Sequence, residues 1–279
     1  MTEPTVPDPI DLRTGGVVSS RPLAVVTGAS SGIGLELARQ FAQNGFDVVV
    51  NAEDDGIEAA AAELRATGAE VTPVVADLST YDGVEDLYAA VLATGRPVEA
   101  AALNAGIGVG GAFVDTDLDA ELELIGLNVT STVHLAKLVL PDMVARNAGK
   151  VLFTSSIAST MPGSFQAVYN ASKSFLQSFA EAVQNELKDT EVTITSLMPG
   201  PTDTDFFHRA EMDDTAVGQG SKDSPAQVAE QGFAALMAGK DKVLGGSLKT
   251  KAQGVANAVL PDKLKAEAHR KMAEPGSGD

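Results

Sequence analysis

Short apolar runs alternate along the chain with longer, alanine-rich stretches of helical period. A short apolar run bounded by turn signals is a buried strand, whereas apolar positions recurring every three to four residues mark one face of a helix. This pattern predicts strands at 23–27, 47–51, 70–76, 98–103, 150–155 and 191–198, with a weaker seventh at 242–246. Helices are predicted at about 32–44, 57–67, 80–94, 117–146 and 165–188, most of them closed by a glycine or proline such as Gly45, Gly68 or Gly95. A later helix opens at Ser224 and Pro225, an N-cap residue followed by proline at the first helical position. Strands this apolar need cover on both faces. The expected fold is therefore α/β: a single-domain, Rossmann-like, doubly wound parallel sheet of about seven strands, flanked by helices on both sides.

No internal repeat is visible, and no Pro/Gly/Ser-rich linker divides the body. Residues 1–20 read as a flexible arm, 21–248 as one folded domain, and 249–279 as a tail or fraying surface helix. The stretch 202–223 is long, polar and glycine-containing, a length that usually means a functional loop or lid.

Composition narrows the partners. With 20 Lys+Arg against 38 Asp+Glu, the net charge of −18 repels phosphate backbones and anionic membrane leaflets, so neither nucleic acid nor a membrane is expected as a partner. Cysteine is absent, which excludes disulfides, a thiolate nucleophile and sulfur-based metal sites; no metal is expected. The N-terminus is acidic and proline-containing without a basic patch before an apolar core, and no run approaches the roughly 18 uninterrupted apolar residues of a membrane span. The expected location is the cytoplasm.

Three clusters carry chemistry. Thr27-Gly28-Ala29-Ser30-Ser31-Gly32-Ile33-Gly34 directly follows the first predicted strand and opens a helix. Glycines there let the backbone turn sharply and approach a pyrophosphate, while the helix N-terminus offers free N–H donors. Taken alone, the turn also suits a tight strand-to-helix connection. Tyr169 and Lys173 stand four apart on a predicted helix and so share one face, as a catalytic pair or as a surface tyrosine beside a solvated lysine. Ser156 lies just past an apolar strand, where an open sheet delivers side chains to the ligand crevice.

With these clusters the chain resembles the classical, single-domain short-chain dehydrogenase/reductase superfamily over roughly residues 20–240. Further motifs of that family fall in register: Asp77-Leu78, Asn104-Ala105-Gly106, Asn128, and Pro199-Gly200 with Thr202 and Thr204. The resemblance implies a catalytic tetrad of Asn128, Ser156, Tyr169 and Lys173. It also implies that Gly28, Ser30, Ser31, Gly32, Ile33, Gly34, Glu53, Asp77, Leu78, Asn104, Ala105, Gly106, Pro199, Gly200, Thr202 and Thr204 contact a nicotinamide dinucleotide, together with Tyr169 and Lys173.

The implied reaction interconverts a secondary alcohol and a carbonyl, and a free phenol with its pKa of about 10 is a poor base at neutral pH. A neighbouring Lys173 ammonium and an oxidised nicotinamide would lower it, making Tyr169 the general acid/base. Ser156 would orient the reacting oxygen, Lys173 would hold the nicotinamide ribose, and Asn128 would hold a water linking Lys173 to solvent. The second strand is followed by Glu53, Asp54 and Asp55, with Ala52 where NAD-users of the family commonly carry Asp and Glu53 where NADP-users commonly carry Arg. Carboxylates accept hydrogen bonds from a ribose 2′-OH and repel a 2′-phosphate, so NAD(H) is favoured while NADP(H) remains open; the same acids also suit a solvated turn.

Asp203, Asp205 and His208 read as a charged loop rather than metal ligands, and His134 as a packed or interface histidine. Phe165, Phe206 and Phe207 flank the expected crevice. Apolar stripes including Leu135, Leu138, Phe175, Leu176 and Phe179 suggest a homo-oligomer, and the family resemblance implies a homodimer or homotetramer built on those helices. Two rival readings are a dinucleotide-binding regulatory protein and an epimerase or dehydratase relative. The four tetrad residues count against the first, and the glycine spacing and short C-terminal region count against the second. The substrate is not legible in the chain.

Overall fold

The computed structural model describes residues 19–278. Seven strands form one sheet: β1 (Leu23–Thr27), β2 (Asp47–Ala52), β3 (Val71–Val75), β4 (Val98–Leu103), β5 (Gly149–Thr154), β6 (Val192–Pro199) and β7 (Lys242–Gly245). All pairings are parallel and the order is β3-β2-β1-β4-β5-β6-β7. Successive strand residues point to opposite faces, which requires two separate covers. Ala24, Val26, Val48 and Val50 pack under α1 (Gly32–Gln43), α2 (Gly56–Arg65) and α9 (Pro225–Met237). Val25, Val49, Ala101 and Val151 pack under α3 (Tyr81–Ala93), α5 (Ser131–Arg146) and α6 (Ala167–Glu186). The expected doubly wound sheet is the observed one.

Four features depart from the sequence pattern. The stretch expected as one helix over 117–146 begins as α4 (Leu118–Ile125), passes through a π-helical turn at Gly126–Thr130, and continues as α5. Measured as a mean hydropathy of 1.3 over a window, rather than as an uninterrupted run, Leu118–Arg146 is long and apolar enough to cross a membrane. Here it lies on the sheet with Leu135, Val139 and Met143 in the core. Within 202–223 the chain forms two single turns, α7 (Phe206–Arg209) and α8 (Ala216–Gln219). The expected fraying helix at the C-terminus is instead two helices, α10 (Leu248–Val259) and α11 (Asp262–Ala273), and Ala273 and His269 of the second are buried. Most of the expected N-terminal arm lies outside the described residues.

Leu135 and Leu176, expected on an interface stripe, are core residues. Leu138 and Phe179 pack partly against the core, and of that set Phe175 remains exposed. His134 bonds Glu85 at 2.8 Å and stacks on Tyr81.

Candidate active site

Strands β3-β2-β1 run outward in one direction and β4 to β7 in the other, so the order reverses between β1 and β4. In an open parallel sheet the ligand crevice forms beyond the strand C-termini at that switch point. A cleft of about 390 Å³ opens there, lined at one side by Gly28 and Ser30–Gly34 and at the other by Ser156, Tyr169 and Lys173.

The glycine turn is shaped by close approaches that only hydrogen tolerates. Gly28 has φ +63°, and a Cβ on Gly34 would stand 1.9 Å from the Gly28 carbonyl oxygen. α1 starts immediately after it; Ser31 is its N-cap, no side chain caps the helix, and its first turn holds no acid. The uncapped amides and the helix dipole suit a diphosphate, so the turn fits a dinucleotide. Asn104 ties the neighbouring strands together: its backbone N–H donates to Thr27 Oγ1 at 2.9 Å, its side-chain N–H donates to Thr27 O at 3.2 Å, and its Oδ1 accepts from Thr154 at 3.0 Å.

Beside the turn, Glu53 and Asp54 border the cleft. Asp54 accepts from Gly56 N at 2.7 Å and from Ser30 Oγ at 3.4 Å, which aims its carboxylate at the turn. Leu78, Ala105, Gly106, Pro199, Gly200, Thr202 and Thr204 also line the cleft. Asp77 does not: it is exposed, and its carboxylate accepts from Ser79 N at 2.8 Å.

At the other side, Lys173 is almost fully buried and donates to Thr154 O at 2.9 Å, with its Nζ 5.8 Å from the Tyr169 ring centroid. Burial pulls the Lys173 ammonium down to about 8. Without the dinucleotide the Tyr169 phenol is raised rather than lowered: burial pushes it up to about 12, and the nearby Ser156 hydroxyl offsets this only in part. Ser156 Oγ accepts from Ala158 N at 3.1 Å and makes only a long, 3.5 Å contact with Pro199 O. Phe206 packs on Tyr169 with centroids 5.1 Å apart. Phe206 and Phe207 line the cleft as expected, whereas Phe165 sits behind it under the Arg270 guanidinium.

Asn128 stands one layer back, in the π-helical turn. Its Nδ2 donates to Ile107 O at 2.9 Å and Ser172 Oγ at 3.0 Å, and its Oδ1 accepts from Ile107 N at 2.9 Å. Its side chain thus clamps the β4 loop. A Cβ on Gly106 would come within 2.9 Å of Asn128 Oδ1 and 3.3 Å of Lys173 Nζ, so the glycine lets this loop close over both.

Sequence reasoning missed Asn51, Ile107, Gln166, Arg209, His269 and Met272, all of which line the cleft. His269 and Met272 had no local signal: α11 reaches the site from the end of the chain. Asp203, Asp205 and His208 gather no metal site among the described residues, and exposed His208 bonds Asp213 at 2.6 Å.

Residues 22–215 match the family model of the short chain dehydrogenases. A short chain dehydrogenase of Pseudocercospora fijiensis is 33% identical over 186 residues, covering 66% of this chain and 60% of that protein. A short-chain dehydrogenase from Sphingobium yanoikuyae in complex with NADPH superposes with a TM-score of 0.75 at 27% identity, over 80% of this chain and 87% of that one. Another from Burkholderia phymatum, in complex with NAD, gives 0.77 at 26% identity, over 91% and 97%. Sheet order, switch-point cleft and glycine turn agree with these matches, and the chain belongs to the short-chain dehydrogenase/reductase superfamily of oxidoreductases.

Proposed function

We propose that the chain interconverts a secondary alcohol and a carbonyl, prefers NAD(H), and uses Tyr169 as its general acid/base. The observation that carries this reading is the convergence of Ser156, Tyr169 and Lys173 on one wall of a cleft whose other wall is the glycine turn. The dinucleotide, when bound, supplies hydride exchange with the substrate carbon. The protein must then deliver or remove a proton at the oxygen. With its phenol pushed up to about 12, Tyr169 rests protonated, the state needed to donate to a carbonyl oxygen. Ser156 lies beside the phenol, and its weak contact with Pro199 leaves the serine hydroxyl available to orient that oxygen. Lys173, still cationic at neutral pH, spends one N–H on Thr154 and keeps two for ribose hydroxyls. Asn128 is a positioning residue that holds the loop carrying Gly106 and Ile107.

The preference for NAD(H) is supported by Glu53 and Asp54 beside the glycine turn. The cations nearest in sequence are engaged elsewhere: Arg39 pairs with Glu36 and Glu63, and Arg65 donates to Val71 O at 2.8 Å. A 2′-phosphate there would face acids without a compensating cation.

The decisive experiment is Tyr169→Phe, followed by absorbance of the reduced nicotinamide on a panel of alcohols and ketones. The variant keeps the ring packed on Phe206 and removes only the proton donor, so turnover should fall by at least about 10³-fold while cofactor affinity changes little. Activity retained within tenfold would overturn the mechanism.

A further inference from the structure

The cleft holds a pair of polar groups that the proton transfer does not use. Gln166, the residue before α6, is 6% exposed and borders the cleft, and its side-chain Nε2 has no hydrogen-bond partner among the described residues. Buried polar groups are paired in the great majority of cases, so an orphaned donor on a residue that borders a cleft points to a partner arriving with the ligand. His269, on α11, borders the same cleft, and its Nδ1 lies 2.9 Å from the carbonyl oxygen of Ser164. A carbonyl only accepts, so Nδ1 carries the hydrogen, and in the neutral ring Nε2 is left with its lone pair. Burial lowers the His269 pKa below its usual 6.5, which keeps the ring neutral at physiological pH. Its Nε2 makes no hydrogen bond among the described residues.

Ser164 is two residues before Gln166, at most about 7 Å of chain, so the donor and the acceptor belong to one corner of the cleft. That corner is held rigidly. Ser164 Oγ donates to Ala266 O at 3.2 Å, Lys265 Nζ donates to Thr160 O at 2.9 Å, and Arg270 lies over the Phe165 ring at 5.1 Å. The surrounding wall is apolar, with Met161, Phe206 and Met272.

A donor and an acceptor at one corner of a cleft select among chemical groups. A carboxylate or phosphate satisfies Gln166 but sets its oxygens against the lone pair of His269. A methyl leaves both groups unpaired. A hydroxyl accepts from the amide and donates to the imidazole, satisfying both.

We propose that Gln166 and His269 form a recognition site for a hydroxyl group of the substrate other than the one that reacts, which makes the substrate class hydroxy-ketones and the corresponding diols. This rests on the reading of the cleft as the reaction site.

The test compares 2-butanone with 1-hydroxy-2-butanone and 4-hydroxy-2-butanone, and each hydroxy-ketone with its methoxy ether, which keeps the acceptor and loses the donor. The wild-type protein should favour at least one hydroxy-ketone over both 2-butanone and its ether by tenfold or more in kcat/KM. Gln166→Leu and His269→Phe should each cut that ratio at least fivefold, and Gln166→Glu, which keeps the shape but exchanges the N–H for an acceptor, should do the same. A wild-type preference below twofold, or variants that lose both ketones in equal proportion, would overturn the proposal. Binding of the same ketones to the Tyr169→Phe protein with NADH, followed by ligand-observed NMR, separates the two readings. Hydroxyl-selective binding that Gln166→Leu abolishes supports the recognition site even if no ketone is turned over, an outcome that would count only against the proposed reaction. Turnover and binding without hydroxyl selectivity would count only against the recognition site.

Discussion

Lys173 is a cation held where water scarcely reaches, with one backbone carbonyl for a partner. Its ammonium titrates at about 8 in the folded chain against a usual 10.5, so between those values the unfolded chain binds more protons than the folded one. Stability of the cofactor-free protein should therefore rise as pH climbs through that window, and above about 10 fall again, because half-buried Tyr169 resists the ionisation that unfolding permits. Lys173→Met should abolish the rise and stabilise the cofactor-free fold near pH 7 by on the order of 2 kcal/mol, while removing activity; thermal melts from pH 7 to 10 measure this. Cofactor choice belongs to the same scale. Glu53 and Asp54 are exposed, so each carboxylate should disfavour a 2′-phosphate by only about 1 kcal/mol at low salt. Titration should find NADH bound about 5- to 20-fold more tightly than NADPH in low salt, a gap that narrows as salt is added, and Glu53→Arg with Asp54→Ser should reverse the order. Tighter binding of NADPH by the unmodified protein would refute the assignment. Ser156, Tyr169 and Lys173 were legible as candidates because their types and spacing fit the proposed reaction; Gln166 was not, because a glutamine becomes informative only when its amide is seen buried and unpaired.

At the scale of elements, all seven strands lie within two residues of the positions that the apolar runs predict. The sequence pattern loses its hold where pairing is made over long range. The π-helical turn at Gly126–Thr130 is invisible to periodicity, since its bulge is held by Asn128 reaching back to Ile107. α11 is invisible as a functional element for the same reason: its composition reads as a surface helix, yet it supplies His269 and Met272 to the cleft. The residues beyond it strap the 202–223 stretch, with Ser277 Oγ accepting from Ala216 N at 3.0 Å and Gly278 N donating to Asp214 O at 2.9 Å. Deleting residues 262–279 should therefore raise KM for a carbonyl substrate at least tenfold and leave the NADH dissociation constant within threefold, because α11 packs chiefly on α8, away from the glycine turn's own helix. Equal loss of both affinities would mean that α11 supports the whole fold rather than the substrate end.

At the scale of the molecule, Leu118, Leu122, Ile125, Val144 and Phe175 leave large apolar side chains exposed on α4, α5 and α6. Exposed apolar residues on the outer helices of one sheet face suit a docking surface, and a second copy of the chain is the partner expected from the sequence. Light scattering should give a dimer or tetramer, and Leu122→Lys with Phe175→Glu should shift it to monomer. Because each chain carries a net charge of −18, association should strengthen as salt rises from low to moderate concentration. A monomer at tens of micromolar in moderate salt would count against this.

What the sequence determined by itself is local or periodic in origin. Apolar runs and helical spacing specify the strands and most helices, glycines at 28, 32 and 34 specify the turn after β1, and Tyr169 with Lys173 shares a face because a helix repeats every 3.6 residues. Tertiary structure decided whatever depends on which distant segments meet. It brought α11 onto the turn before α6, tied Asn128 to the β4 loop, took Asp77 away from the cleft, and pushed the Tyr169 phenol up rather than down. The physical reason is that hydrogen-bond satisfaction and desolvation are properties of an enclosed volume, and no stretch of chain encloses a volume alone.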